Sequence, residues 1–334
     1  MKRLLVAFFV FGVGAAAVLA AWLLYTLNAP YAAFGAETFV ELPRGTGARE
    51  IARRLAGAGV IRSEWPFLAA RLVRRGRILQ AGEYRFDKPA TPLEVYDRIA
   101  RGDIFHYELV VPEGKNMFDI GALAEELGLF TAADFLKAAR NPAMIRDLAP
   151  EAPSLEGYLF PSTYYLPRHT SPERLCRMMT AKFRETWKSL RTDAGVHRTV
   201  TLASLVEKEG KVPAERPLIA AVFLRRLELG MRMDCDPTVI YAALLEGAWR
   251  GTIYRSDLDR DHPYNTYRRV GLPPGAIANP GAKSLEAVLH PADTDALYFV
   301  ARPDGSGAHT FSNDLAGQQK AVAEYRRGLS NNSH

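Results

Sequence analysis

An α+β protein with two folded units behind a single membrane-spanning helix is the fold class this sequence predicts. Three observations predict it. Residues 4–27 form an apolar run without a charged side chain, and the next charge after Arg3 is Glu37. Residues 37–106 alternate short extended segments with compact helical patterns. Residues 107–328 carry longer helical patterns, broken by proline- and glycine-containing stretches.

At about 1.5 Å per helical residue, the first run is long enough to cross a hydrocarbon layer of about 30 Å. Lys2 and Arg3 precede it and no basic residue follows closely, which favours an amino terminus inside and the remaining chain outside the cytoplasm. A cleaved signal peptide is the competing reading. Its apolar core is usually only about 7–15 residues, although small residues at 14–17 and 20–21 leave cleavage open. Residues 1–27 are therefore read as cytoplasmic tip and anchor, and 28–36 as a connector.

The first unit opens with an extended segment at 38–42 and a turn at 43–47. Ile51, Leu55 and Ala56 then have helical spacing. Ser63 is placed to cap a second helix, with Pro66 in its first turn. A strand is expected at 82–86. Thr91-Pro92 starts a third helix with Leu93, Val95, Tyr96 and Ile99 on its apolar side. Such a unit is either a spacer or a small polymer-binding module.

The second unit begins near Tyr107, with an extended segment at 109–111, a turn at 112–114 and helices at 117–127 and 131–140. The stretch 155–165 holds four aromatics, suited equally to sugar faces and to a core. Glu156 among them stands out, because an unpaired carboxylate is costly to bury. Helices are expected at 172–190, 200–209 and 216–229, a turn-rich final third follows, and 329–334 form a disordered tail.

The 43 basic and 37 acidic side chains give a formal net charge of +6. That fits an anionic polymer or membrane surface, and it is also an ordinary solubility charge. No dense Lys/Arg block interleaves with aromatics, so nucleic-acid binding is not expected. The two cysteines, Cys176 and Cys235, permit a disulfide outside the cytoplasm and are equally compatible with two buried thiols.

The sharpest chemical signal lies in Leu202-Ala203-Ser204-Leu205-Val206-Glu207-Lys208-Glu209. On a helix, Leu202, Leu205 and Val206 form one stripe. Glu209, seven, four and three residues further on, falls on it, while Glu207 and Lys208 fall to either side. A carboxyl beside apolar surface holds its proton more tightly and suits acid/base work. The plainer reading is a helix end turning into water at Gly210.

Downstream, Asp236 is placed to cap a short apolar helix with Pro237 at its first position. Tyr264-Asn265-Thr266-Tyr267 combines hydroxyls, an amide and two rings, suited to sugar hydroxyls or to a satisfied turn. The loop 271–281 is rigid and irregular enough to shape a cleft. Among seven scattered histidines, His309 is the best site candidate because it follows an expected strand at 297–301. No phosphate-binding glycine loop, His-Glu-x-x-His helix, metal-type cysteine pair or Gly-x-Ser-x-Gly elbow occurs. No metal and no cofactor are therefore implied.

Together these segments resemble the MltG/YceG-like family of endolytic murein transglycosylases. The resemblance rests on Leu155-Glu156-Gly157-Tyr158-Leu159-Phe160-Pro161, the Glu207-Lys208-Glu209 triplet, Gly230-Met231-Arg232 and Asp236-Pro237-Thr238. It rests also on Tyr264-Asn265-Thr266-Tyr267, Gly271-Leu272-Pro273-Pro274-Gly275, and Leu297-Tyr298-Phe299-Val300-Ala301 with His309-Thr310-Phe311. Gly210 stands where Thr is common, and Cys235 departs from the usual Gln/Thr surroundings. The resemblance implies a LysM-like module at 37–106, a catalytic domain at 107–328 and Glu209 as catalytic acid/base. Glu156, Tyr264, Asn265, Thr266, Asp236 and His309 become candidate substrate-binding residues. The implied reaction cuts the bond between N-acetylmuramic acid and N-acetylglucosamine in nascent peptidoglycan strands, leaving 1,6-anhydro ends and terminating glycan elongation. The implied partners are glycan strands, the cytoplasmic (inner) membrane through residues 4–27 and, as candidates, cell-wall synthases. A hydrolase in which Asp236 activates water, or a binding scaffold without chemistry, remain the alternatives.

Overall fold

The computed structural model describes residues 2–74 and 76–331. The side chains of Lys2 and Arg3, and residues 332–334 of the expected tail, lie outside that description. The fold is mixed α and β, in two compact units that divide between His106 and Tyr107.

The first unit opens with α1 (Lys2–Asn28). Its segment Phe8–Asn28, with mean hydropathy 2.1, is long and apolar enough to cross a membrane. A module of β1 (Thr38–Leu42), α2 (Ala48–Gly57), α3 (Glu64–Val73), β2 (Gly82–Phe86) and α4 (Pro92–Arg101) follows. β1 and β2 pair antiparallel, Val40 opposite Tyr84. Alternation sends Val40, Leu42, Tyr84 and Phe86 into a core with Leu55, Phe67, Val95 and Ile99. Thr91 and Glu94 form a reciprocal capping box at α4. Ser63 occupies the α3 cap position but makes no capping hydrogen bond.

Residues 28–36 are less of a connector than the sequence leads one to expect. Leu27 is already buried in the module core. Tyr31 and Ala90 exchange backbone hydrogen bonds of 3.1 and 3.3 Å, and the Ala33 amide donates to Gly59 at 2.8 Å. α1 and the module are one body.

The second unit pairs β3 (Tyr107–Val111) with β4 (Ser162–Leu166) across α5 (Met117–Glu126) and α6 (Ala132–Ala139). The helices α7 (Pro172–Ser189), α8 (Val196–Glu209), α9 (Arg216–Glu228), α10 (Asp236–Leu245), α11 (Arg255–Asp259) and α12 (Ala282–Leu289) follow. The chain then forms an antiparallel pair, β5 (Tyr298–Ala301) and β6 (His309–Ser312), and α13 (Leu315–Asn331). The helix thus runs into the stretch expected as tail. β4 emerges from the aromatic segment, whose Tyr158 and Leu159 pack in the core while Tyr165 faces out.

α8 is the centre of this unit, packed against α9, α10 and α12. Residues 199–206 are all buried, so the helix has no polar face there. Gly157 makes the close approach to it possible. Its φ is +90°, and a Cβ there would lie 2.6 Å from the Val200 side chain and 2.5 Å from Ala276. Cys176 and Cys235 are both free and buried.

Candidate active site

α8 delivers Glu209 to the wall of a cavity of about 490 Å³, together with Cys235, Asp236, Tyr267, Tyr298, Phe299 and His309. Gly210 ends the helix, its amide still donating to Val206 at 2.7 Å. Glu209 Oε1 accepts the Cys235 thiol at 3.2 Å. Burial is the main cause that raises the Glu209 pKa, and the Asp236 charge adds to it. The Cys235 hydrogen bond and the positive influence of His309 and Lys211 act the other way. The carboxyl therefore keeps its proton above the ordinary range.

The thiol is itself fixed. The Cys235 amide donates to Thr266 Oγ1 at 3.0 Å, Thr238 Oγ1 donates to the Cys235 carbonyl at 2.6 Å, and the two hydroxyls lie 2.9 Å apart. Burial pushes the Cys235 pKa well up, so it stays a donor. Cys235→Ala should raise the Glu209 pKa further, because the lost hydrogen bond favoured the ionised form. Cys235→Ser, which retains a donor, should keep the limb of the pH–rate profile where it is. Equal profiles for both variants would remove the thiol from this role.

Asp236 does not cap α10. Cys235 holds the cap position and Asp236 is the first helical residue, its Oδ1 accepting the Tyr267 hydroxyl at 2.6 Å. His309 begins β6. Its Nδ1 lies 2.7 Å from Glu215 Oε2 and its amide donates to Oε1 at 2.9 Å. The structure thus brings Glu209, Asp236 and His309 to one cavity, with Thr266 behind Cys235.

The other expected site residues lie elsewhere. Asn265 donates to the carbonyls of Leu258 and Arg260 at 3.0 and 2.7 Å and clamps its own loop. Tyr264 is buried against Tyr241, ring centroids 5.1 Å apart. The loop 271–281 packs behind α8. The Ile277 amide donates to Ser204 Oγ at 3.1 Å and the Gly281 amide to Glu207 Oε2 at 3.0 Å.

Glu156 is fully buried away from the cavity, accepting the Met117 amide at 2.8 Å and Asn279 Nδ2 at 2.7 Å. Asn279 in turn accepts the amides of Gly157 and Leu159. Burial pushes the Glu156 pKa up to about 8. Its proton is held more tightly folded than unfolded, so its stabilising contribution is complete below the ordinary carboxylate range. That contribution is lost as pH rises through about 8. Glu156→Ala should strip the Met117 amide and the Asn279 amide of their acceptor, and the Tyr241 hydroxyl of its carboxyl partner, and cost about 2–4 kcal/mol, without moving the pH–rate profile of the folded enzyme. Denaturant melts at several pH values check both.

Tyr267, Tyr298 and Phe299 line the cavity without having been singled out. All three stood in quoted motifs, but nothing in the spacing of Tyr267 distinguishes it from Tyr264. Arg226, also at the wall, donates to the carbonyls of Leu297, Met233 and Arg232 at 2.6, 2.9 and 3.2 Å.

Residues 40–324 match the model of the YceG-like family. The chain belongs to the YceG-like family. It is 33% identical over 307 residues to an endolytic murein transglycosylase of Bacillus subtilis (strain 168), covering 86% of this chain and 84% of that protein. An endolytic murein transglycosylase of Streptococcus pneumoniae serotype 2 is 29% identical over 321 residues, but the match spans only 58% of its length. The crystal structure of a yceG-like protein from Listeria monocytogenes agrees with a TM-score of 0.55 at 32% identity, covering 85% of this chain and 98% of that one. In this YceG-like chain, then, the Glu207-Lys208-Glu209 triplet splits into two roles. Glu209 faces the cavity, while Glu207 meets Arg216 at 3.0 Å.

Proposed function

We propose that the protein is a membrane-tethered endolytic lytic transglycosylase acting on peptidoglycan, with Glu209 as its single acid/base. The observation that carries this reading is Glu209 on a cavity wall, desolvated and held by one weak donor, in a chain whose relatives bear that activity by name. Glu209 protonates the glycosidic oxygen between N-acetylmuramic acid and N-acetylglucosamine as that bond breaks. Its carboxylate then takes the proton of the muramic acid C6 hydroxyl as that oxygen bonds to the anomeric carbon. The nucleophile is already tethered to the reacting sugar, which lowers the entropic cost of attack. Asp236, oriented by Tyr267, puts negative charge near the positive charge that develops on the sugar.

The same reading places α1 across the inner membrane with the catalytic unit outside the cytoplasm, where the enzyme ends growing strands. It makes the module at 37–106, which has a core of its own, a LysM-like glycan contact. Unchanged retention on peptidoglycan after removal of 37–106 would refute that part. Mass analysis of glycan digested by the purified protein tests the chemistry. Products one water lighter at muramic acid ends are expected. Reducing ends would mean hydrolysis, and intact glycan would mean a binding protein.

A further inference from the structure

A second surface lies on the first unit. α3 buries Phe67 and Ala70 in the module core. Its outer side is also apolar. Trp65 and Leu72, seven residues apart, stack on one side of the helix, and they are 72% and 68% exposed. Val73, the last residue of the helix, and Ile78 beyond it are exposed as well, at 58% and 77%. A helix that is apolar on both faces is not built to leave one of them in water. Arg62, Arg71, Arg74 and Arg77, all exposed, neighbour these residues along the chain. Arg74 and Arg77 share the single carboxylate of Asp97, at 3.2 and 3.0 Å, so the surround keeps a positive excess.

The position of the patch identifies what covers it. α1 packs against α3 and α4, and Leu27 ends in the core that Phe67 also enters. Arg62, two residues before α3, lies over the Tyr31 ring at 5.4 Å. The patch therefore borders the point where α1 ends. Tryptophan favours the boundary between hydrocarbon and headgroups. Arginine lays its stem on apolar surface while its head reaches phosphate, and basic groups beside a spanning helix are drawn to anionic lipid.

We propose that the face carrying Trp65, Leu72, Val73 and Ile78 docks into the headgroup layer of the bilayer that α1 crosses, with the surrounding arginines on anionic lipid phosphates. This rests on reading α1 as a membrane span. The test uses the full chain in lipid nanodiscs loaded at one copy each, with phospholipids brominated at shallow or deep acyl positions. The difference between wild type and Trp65→Phe isolates the emission of Trp65, and the difference from Trp22→Phe isolates that of α1. Deep bromines should quench Trp22. Shallow bromines should quench Trp65, more strongly in discs containing phosphatidylglycerol than in phosphatidylcholine alone. Arg71→Glu should weaken the Trp65 quenching and leave that of Trp22 unchanged. A quenched Trp22 with a water-like, unquenched Trp65 overturns the docking while α1 stands. Trp65 emission that is blue-shifted only in discs holding several copies assigns the face to a second copy and also overturns it. An unquenched Trp22 removes the membrane span and the proposal with it.

Discussion

Glu209→Gln should abolish glycan cleavage while the protein stays folded. The amide keeps the volume and an oxygen placed to accept the Cys235 thiol, now at 3.2 Å, so the local packing has no reason to change. What is lost is a proton that can be given and taken back. Positioned acid/base groups contribute about 10²–10⁴-fold, and here one carboxyl serves both steps. The loss should therefore reach at least that range, with glycan binding and thermal stability near wild type. The wild-type pH profile supplies an independent check. Glu209 must be protonated to attack the glycosidic oxygen, so kcat/KM falls as pH rises through its pKa. Because burial raises that pKa, the fall should come above the ordinary carboxylate value of 4.5. A fall at that ordinary value would leave Glu209 in place and remove desolvation as the reason it keeps its proton. Near-normal cleavage by Glu209→Gln would remove the assignment itself.

Glu207→Ala should instead cost about 3–5 kcal/mol of stability, the usual penalty for breaking a buried ion pair from one side. The Glu207 side chain is 5% exposed and Arg216 12%. Their 3.0 Å contact is joined by the Gly281 amide on the other carboxylate oxygen. Glu113 lies 3.5 Å from the same guanidinium but is half-exposed and a weaker substitute. Removing Glu207 thus strands Arg216 and loosens the start of α12 at once. Glu207→Gln, which retains an acceptor, should be milder in stability and should still cleave more than Glu209→Gln. Denaturant titration measures the first effect and product yield per folded molecule the second. A stable Glu207→Ala protein would mean that Glu113 or water replaces the pair.

The two carboxylates show how far the sequence carries. Helical phase set Glu209 on the stripe of three preceding apolar residues, and in the structure its side chain reaches the cavity wall. Phase also set Glu207 to the side of that stripe, where it meets Arg216 and the Gly281 amide, but it did not reveal that this side is enclosed too, since residues 199–206 are all buried. Periodicity detects a boundary between core and water and has nothing to report where water is absent. The strands and helices of the first unit were legible for the opposite reason. They are short, amphipathic and bounded by turns, as the Thr91 capping box illustrates. Glu156 was noticed for the right physical reason, the cost of burying a carboxylate, and was given a role in sugar binding. Among its partners, Met117 and Asn279 stand 39 and 123 residues away in the chain, a separation that no local pattern encodes. The same holds for Cys235. Its oddity was visible, but its contact with Glu209 spans 26 residues.

The Arg226 guanidinium holds the Leu297 carbonyl before β5 and the Met233 carbonyl two residues before Cys235. One side chain on α9 is thus a rivet through both banks of the cavity. Tyr298 and Phe299 lie on one bank, Cys235 and Asp236 on the other. A displacement of the β5 bank would pull on the guanidinium that also holds the opposite bank. The strain passes through a planar fork that a lysine, with its single point of charge, has no means to reproduce. The seat of the Glu209 thiol partner and the start of β5 are thus tied through one guanidinium.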